Sequence, residues 1–506
     1  MTVVVDSCAD VNLETLRRVA LEGEGVRLSD RVVGHIAAVH RRFQDHVESH
    51  ADGFIYMVTA GAGPDAKSHY SLEQARERRR RRQPFLGLSF GGDSLPQYVS
   101  RATIFAGISM LVSGHSATHP ARAQAIVEML DRELPRLPTR GLVAAGELMS
   151  NFVLQSRSSA TIADEGFSAG TGNGSPASSA MAALAALFAR RRLELSEVVF
   201  ALSIEAIRAP LSHYHPALKE LWKDPFAALA LDRLGELLDG AAVIRRSTAA
   251  PASYRILPRV LGQARRALAT LEEVATVALA QGVPNPAFIF DPLPGPEMSD
   301  QARQDGESRP EATVSNGSFH NSSVAPAIDS MAASWVELGA IAQRHAVKLH
   351  KGGVSQLPDR LLPPGTDYVT GYSTTYLEYV PNQAVEEMRR LLQPTLLSPA
   401  ETAASEQDDV AITAPVAFVA EREVSSRLDE VLAVLAVVCS QAIHLTGCSV
   451  APRLETPLEL IRELVAPVES RRQLGQECGR LAGAISAAIE HGGAELSDLA
   501  ATKIGT

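Results

Sequence analysis

The feature that most constrains this chain is the stretch from Ala177 to Arg192, where alanine and leucine dominate and only two serines interrupt before the first arginine. Unbranched apolar side chains are strong helix formers. A helix that is apolar nearly all round cannot lie on a surface, so it belongs inside a large bundle or a subunit interface. The same character continues over residues 195–208 and 258–281, and returns over 324–349, 382–392 and 424–445. Residues 455–491 also read as helical, as do 101–134 with a break at Ser113-Gly114-His115. Residues 11–50 carry the spacing of two short amphipathic helices. Aromatic residues make up only 5% of the chain, which favours helices over sheets. The expected fold class is all-α, a bundle of long central helices. At 506 residues the chain exceeds one ordinary domain, and we expect regions at 1–200, 201–450 and 451–506.

Charge and cysteine usage exclude several classes. The formal net charge of -10 argues against nucleic-acid partners, which require a basic excess. Cys8, Cys439, Cys448 and Cys478 have neither CxxC spacing nor a dense framework. They read as free thiols of a reducing, cytoplasmic chain without a metal site. The first thirty residues lack a long apolar core and no run of about 18 apolar residues is evident, so neither a signal peptide nor a membrane span is expected. Two polar, proline-bearing stretches read as loops. Residues 292–313 are expected to be a mobile insertion and 352–367 a surface excursion. The run Arg78 to Arg82 reads as a solvated helix face or mobile loop, or alternatively as a patch for a phosphorylated substrate or an acidic carrier protein.

Eight segments, in order, carry a resemblance. Phe54-Ile55-Tyr56-Met57-Val58-Thr59-Ala60-Gly61-Ala62-Gly63 is similar to Tyr-Gly-Val-Asn-Thr-Gly-Phe-Gly, and Ser113-Gly114-His115-Ser116 to Arg-Gly-His-Ser. Pro138-Thr139-Arg140-Gly141-Leu142-Val143-Ala144-Ala145-Gly146-Glu147-Leu148 resembles Pro-Ser-Arg-Gly-Ser-Val-Gly-Ala-Ser-Gly-Asp-Leu. Asn173-Gly174-Ser175 is similar to Asn-Gly-Thr, and Tyr254-Arg255-Ile256-Leu257-Pro258-Arg259-Val260-Leu261-Gly262 to Arg-Cys-Gln-Pro-Gln-Val-Leu-Gly. Asn285-Pro286, Gly317-Ser318-Phe319-His320 and Gln407-Asp408-Asp409 match Asp-Asn-Pro, Gly-Asn-Phe-His-Gly and Gln-Glu-Asp-His. Together these identify the chain as resembling the aromatic amino acid lyases, the histidine and phenylalanine ammonia-lyases. The resemblance implies a homotetramer whose active sites draw on more than one subunit. It also implies that the first region carries the catalytic tyrosine loop and the cofactor segment.

In that family an internal Ala-Ser-Gly cyclises and loses water to give an electrophilic methylidene-imidazolone. Here Ala144-Ala145-Gly146 has no hydroxyl to lose and the segment is one residue short, so no such cofactor is expected. Ser150 is nearby but displaced. The resemblance places other roles on residues that remain. Tyr56 matches the tyrosine that acts as base, and Arg255 the arginine that holds the substrate carboxylate through its planar fork. Asn173 matches an asparagine near cofactor and substrate, though it is equally placed to cap a helix. Phe319 matches an aromatic wall residue, and Gly61 belongs to the tyrosine loop. The substrate-selecting histidine falls at Phe90 and the second tyrosine at Ala252, with Tyr254 two residues on. The asparagine-threonine pair reads Thr59-Ala60, and the later Asn-Gln reads Ser405-Glu406. His115 and His320 read as structural, with His320 following a pocket residue.

Three functions remain open on this reading. The first is a cofactor-independent enzyme of specialised biosynthesis, acting on an amino-acid-derived or other small carboxylate substrate. It would transfer a proton through Tyr56 in an elimination, isomerisation, condensation or cyclisation. The second is a non-catalytic homologue that binds a ligand or partner. The third is a genuine ammonia-lyase with its Ala-Ser-Gly elsewhere. Retention of Tyr56 and Arg255 favours the first.

Overall fold

The computed structural model describes residues 2–61, 65, 67–81, 92–147, 150, 154, 166–170, 173–242, 244–290, 312–367, 369–395 and 409–491. The chain is mostly helical, as its composition implies. It divides into two compact units. One comprises Met1–Ala185, Glu272–Pro326 and Thr395–Phe418, the other Ala186–Leu271, Ala327–Pro394 and Val419–Thr506.

In the first unit, strand β1 (Thr2–Val5) pairs in parallel with β2 (Gly25–Leu28) across helix α1 (Leu13–Ala20). Asn12 caps α1 by accepting from the backbone of Glu14 and Thr15, both at 3.1 Å. Helix α2 (Asp30–Ser49) turns Val32, Ile36, Val39, Phe43 and Val47 inward, the spacing of one helical face. Helices α3 (Leu72–Arg80), α4 (Gln97–Val112) and α5 (Pro120–Glu128) follow. Val39, Phe43 and Val47 form a core with Ile55, Val58, Phe167, Ala169, Phe288 and Phe290.

The alanine-rich stretch forms α6 (Pro176–Ala206), and every residue from Pro176 to Ala189 is buried. It runs on unbroken through residues 193–194, where the sequence pattern placed a boundary. The arginines there do not end it, because Arg192 is buried and forms a bidentate pair with Asp429 at 2.8 and 3.1 Å. Arg191 donates to the Ile489 carbonyl at 2.8 Å. Beyond it come α7 (Pro225–Leu237), the four-residue α8 (Ala252–Arg255) and α9 (Leu257–Ala280). The antiparallel pair β3 (Ala287–Ile289) and β4 (Ala312–Val314) is next. Then follow α10 (Val324–Leu349), α11 (Tyr379–Leu391), α12 (Ala414–Thr446), α13 (Pro452–Leu464) and α14 (Leu474–His491).

Two expectations need correction, and a third lies largely outside the described residues. Short strands exist at 2–5 and 25–28, too brief to register as a pattern. The 292–313 insertion lies outside the described residues except for its end, which belongs to β4. The 352–367 segment is largely at the surface, as expected, with Ser355, Leu357 and Leu361 turned inward. Finally, α12 is long and apolar enough to cross a membrane by length and composition. Most of its apolar stretch is buried within the protein, as in the core helix of a bundle.

Candidate active site

The tyrosine loop is a tight turn fastened from below. Thr59 Oγ1 donates to the Gly53 carbonyl at 2.6 Å and accepts from the Ile55 backbone at 2.8 Å. Ile55 and Val58 insert into the core of the first unit, while Phe54 and Met57 face outward. Tyr56 lies between these anchors and is half-buried. Thr59, read from sequence as a lost polar pair, is therefore the residue that shapes the turn. Gly61 must lack a side chain, because a Cβ there would stand 2.1 Å from the Asp65 carbonyl oxygen. Its own N–H donates to the Ser68 carbonyl at 3.1 Å.

The degenerate cofactor segment ends in a short turn, Ala145–Glu147, in which Gly146 (φ 69) and Glu147 (φ 53) are both left-handed. Gly146 packs directly on Asn173, where a Cβ would fall 2.0 Å from Asn173 Oδ1. That oxygen is buried and has no hydrogen-bond partner among the described residues. The Asn173 carbonyl accepts from Asn285 N at 2.9 Å, and Asn285 Oδ1 accepts from Asn316 N at 2.9 Å. Asn316 Oδ1 in turn accepts from Ser318 N at 2.9 Å. This string of hydrogen bonds links the Phe319 turn to the segment that bears Asn173. Ser318 Oγ and His320 Nδ1 are likewise buried and unpartnered. Buried polar atoms are normally satisfied, and these three lie along one string of hydrogen-bonded residues. Asn173 precedes α6 but does not cap it.

That capping is done by Glu147, which sequence reasoning aligned but gave no role. Its carboxylate is buried and accepts from Ser178 N at 2.8 Å, from Ala177 N and from the Ser178 hydroxyl. These are orphan donors at the start of a 31-residue helix, where a negative charge is favoured. Burial nevertheless pushes its pKa up to about 7, against the pull of those hydrogen bonds. A residue 30 positions from its partner leaves no local signal.

Arg255 stands in the second unit, exposed at the end of α8, as is Ala252 one turn before it. Tyr254 does not replace the missing second tyrosine. It is fully buried, stacks on His345 with ring centroids 3.6 Å apart, and hydrogen-bonds Ser203 Oγ at 3.0 Å. Burial raises its pKa well above 10. His115 is structural, its Nδ1 lying 3.0 Å from the Phe288 carbonyl. Phe90 and the Ser405-Glu406 pair lie outside the described residues. The four cysteines are free.

The family model of the aromatic amino acid lyases matches residues 11–151 and 165–463. The chain belongs to the aromatic amino acid lyase family. Among its relatives is the histidine ammonia-lyase of Symbiobacterium thermophilum, 26% identical over 96% of this chain and 98% of the relative. That of Deinococcus radiodurans is 25% identical over 94% and 92%. Among solved structures, the phenylalanine aminomutase of Pantoea agglomerans superimposes with a TM-score of 0.82 at 17% identity, over 96% of this chain and 99% of that one. The tyrosine aminomutase of Streptomyces globisporus gives 0.79 at 20% identity, over 99% and 100%. Membership in the lyase family supports an enzyme of the lyase type, and the superpositions establish the ammonia-lyase fold.

Proposed function

We propose that this chain is a lyase-type enzyme that works without the family's methylidene-imidazolone, on an amino-acid-derived or other carboxylate substrate. The observation that carries the reading is the segment Ala144-Ala145-Gly146, which offers no hydroxyl to leave as water. Its glycine is packed against Asn173. Ser150 is fully buried and lies beyond the turn, so it does not substitute.

The remaining residues keep distinct tasks. The Arg255 guanidinium holds a carboxylate by two parallel N–H bonds. Tyr56 moves a proton at the carbon beside it, as a phenolate when accepting and a phenol when donating. Asn173 Oδ1, with no partner among the described residues, accepts from a substrate N–H or O–H. Phe319, half-buried in its turn, supplies an apolar wall. Elimination, isomerisation, condensation and ring closure all need this proton transfer. The site is completed in a homotetramer whose active sites draw on more than one copy.

The intact mass of the purified chain tests the central claim. An unmodified mass is expected. A mass lower by two waters would show that cyclisation and dehydration have occurred and would overturn the proposal.

A further inference from the structure

The arginine run at the end of α3, the sequence's own candidate for an anion, is engaged within the chain at Arg78, Arg79 and Arg81, and Arg82 lies outside the described residues. Arg78 pairs with Asp65 and lies 4.1 Å over the Tyr70 ring, Arg81 pairs with Glu77, and Arg79 lies 5.8 Å over Phe167. Uncompensated cations are found instead in the second unit, at the C-terminal end of α6. Arg208 follows that helix in the left-handed conformation (φ 56), and its carbonyl accepts from Arg246 N at 3.1 Å. The two arginines are thereby fixed side by side. Arg246 donates from Nη2 to Thr248 Oγ1 at 3.2 Å, but its Nε and Nη1 are buried and unpartnered. The Nε of Arg208 is buried and unpartnered too. Arg245, next in sequence, shows the contrast, since it pairs with Glu205 at 2.6 Å.

His213 joins the same group. Its Nε2 accepts from Ala250 N at 3.1 Å, which ties the 211–214 turn to the segment bearing Arg246. Its pKa is held below the usual histidine range, by burial first and then by the charges of Arg255 and Arg246. Arg246 in turn feels Arg208. Arg208, Arg246 and His213 thus share one neighbourhood. Among the described residues none of Arg208, Arg246 and Arg255 forms an ion pair. Buried guanidinium donors without acceptors, beside like charges, are costly, and an anion would relieve both terms.

We propose that Arg208 and Arg246, with His213 beside them, form an oxyanion pocket that takes the phosphate group of a phosphate monoester substrate. A carboxylate is satisfied by one guanidinium fork. Two cations with three unused nitrogen donors suit a group of nearly two negative charges and three acceptor oxygens. The inference rests on reading Arg255 as the anion-binding residue of the lyase-type site, and it adds a second charged group to the substrate.

The test is calorimetric titration of the full-length protein with inorganic phosphate at constant ionic strength, independent of turnover. Saturable binding is expected, weakened at least about tenfold in Arg246→Gln and less in Arg246→Lys, which keeps the charge. Tyr56→Phe should bind as the unaltered protein does, so a failure of the proton-transfer reading leaves this result standing. Displacement of inorganic phosphate by phenyl phosphate supports a monoester substrate; failure to displace it overturns that assignment. Absence of saturable binding in the unaltered protein overturns the pocket, as does equal affinity in folded Arg246→Gln. If phosphate does not bind and Arg246→Gln dissociates in sedimentation, an acid from a second copy satisfies these arginines, and the proposal is wrong.

Discussion

Glu147 makes a prediction that can be worked through from its surroundings. It is 1% exposed and its pKa is raised from 4.5 to about 7, chiefly by burial. At pH values below 4.5 both folded and unfolded chains hold its proton, and the shift contributes nothing to stability. As pH rises from 4.5 to about 7 the unfolded chain loses the proton while the folded chain keeps it, so stability falls. Beyond about 7 the loss is complete and constant. Between roughly pH 5 and pH 8 this single carboxyl removes about 2.5 kcal/mol, at 1.36 kcal/mol per pH unit over most of that span. Glu147→Gln does not titrate. At about pH 5 it should be less stable than the unaltered protein by about 1–2 kcal/mol, because its amide places N–H groups against the Ala177 and Ser178 donors. By about pH 8 the difference should have moved by about 2.5 kcal/mol in favour of the variant. Urea unfolding of both proteins at equal chain concentration reads this double difference. Other buried carboxyls such as Glu197, also pushed up to about 7, cancel in it because both proteins carry them. A difference that stays constant with pH would refute the argument, since the helix N-terminus would then be holding an ordinary carboxylate. A difference that moves against the variant would mean that the pKa is lowered.

Three further outcomes follow from the same geometry. Gly146→Ala should destabilise by about 2–4 kcal/mol, from the clash with Asn173 and the left-handed backbone. Adding Asn173→Ala should recover all but about 1 kcal/mol of that, measured as a double-mutant cycle. Asp429→Asn leaves Arg192 buried without its charge partner and should cost about 3–5 kcal/mol in urea unfolding. Tyr56→Phe should lower turnover at least about a hundredfold while shifting stability by no more than about 1 kcal/mol, once a substrate is in hand.

The helical architecture was legible because periodicity and composition are local. The α10 stretch, 324–349, was read to its ends, and the buried face of α2 follows from spacing alone. The run-on of α6 through Arg192 was not, because the charge that looks like a boundary is neutralised by Asp429, 237 residues away. The site divides in the same way. Motif order placed Tyr56, Gly146, Asn173 and Phe319, and the structure brings Gly146, Asn173 and the Phe319 turn together through Asn285 and Asn316. Tyr254 looked like a displaced catalytic tyrosine, but one residue's rotation on a four-residue helix turns it into the core while Ala252 and Arg255 stay outside. Sequence distance measured along the chain cannot show such a rotation; the helix period can, since positions 252 and 255 share a face and 254 does not. Glu147 and the Arg208–Arg246 pair had no local signal at all, for each gains its meaning from a partner tens of residues away.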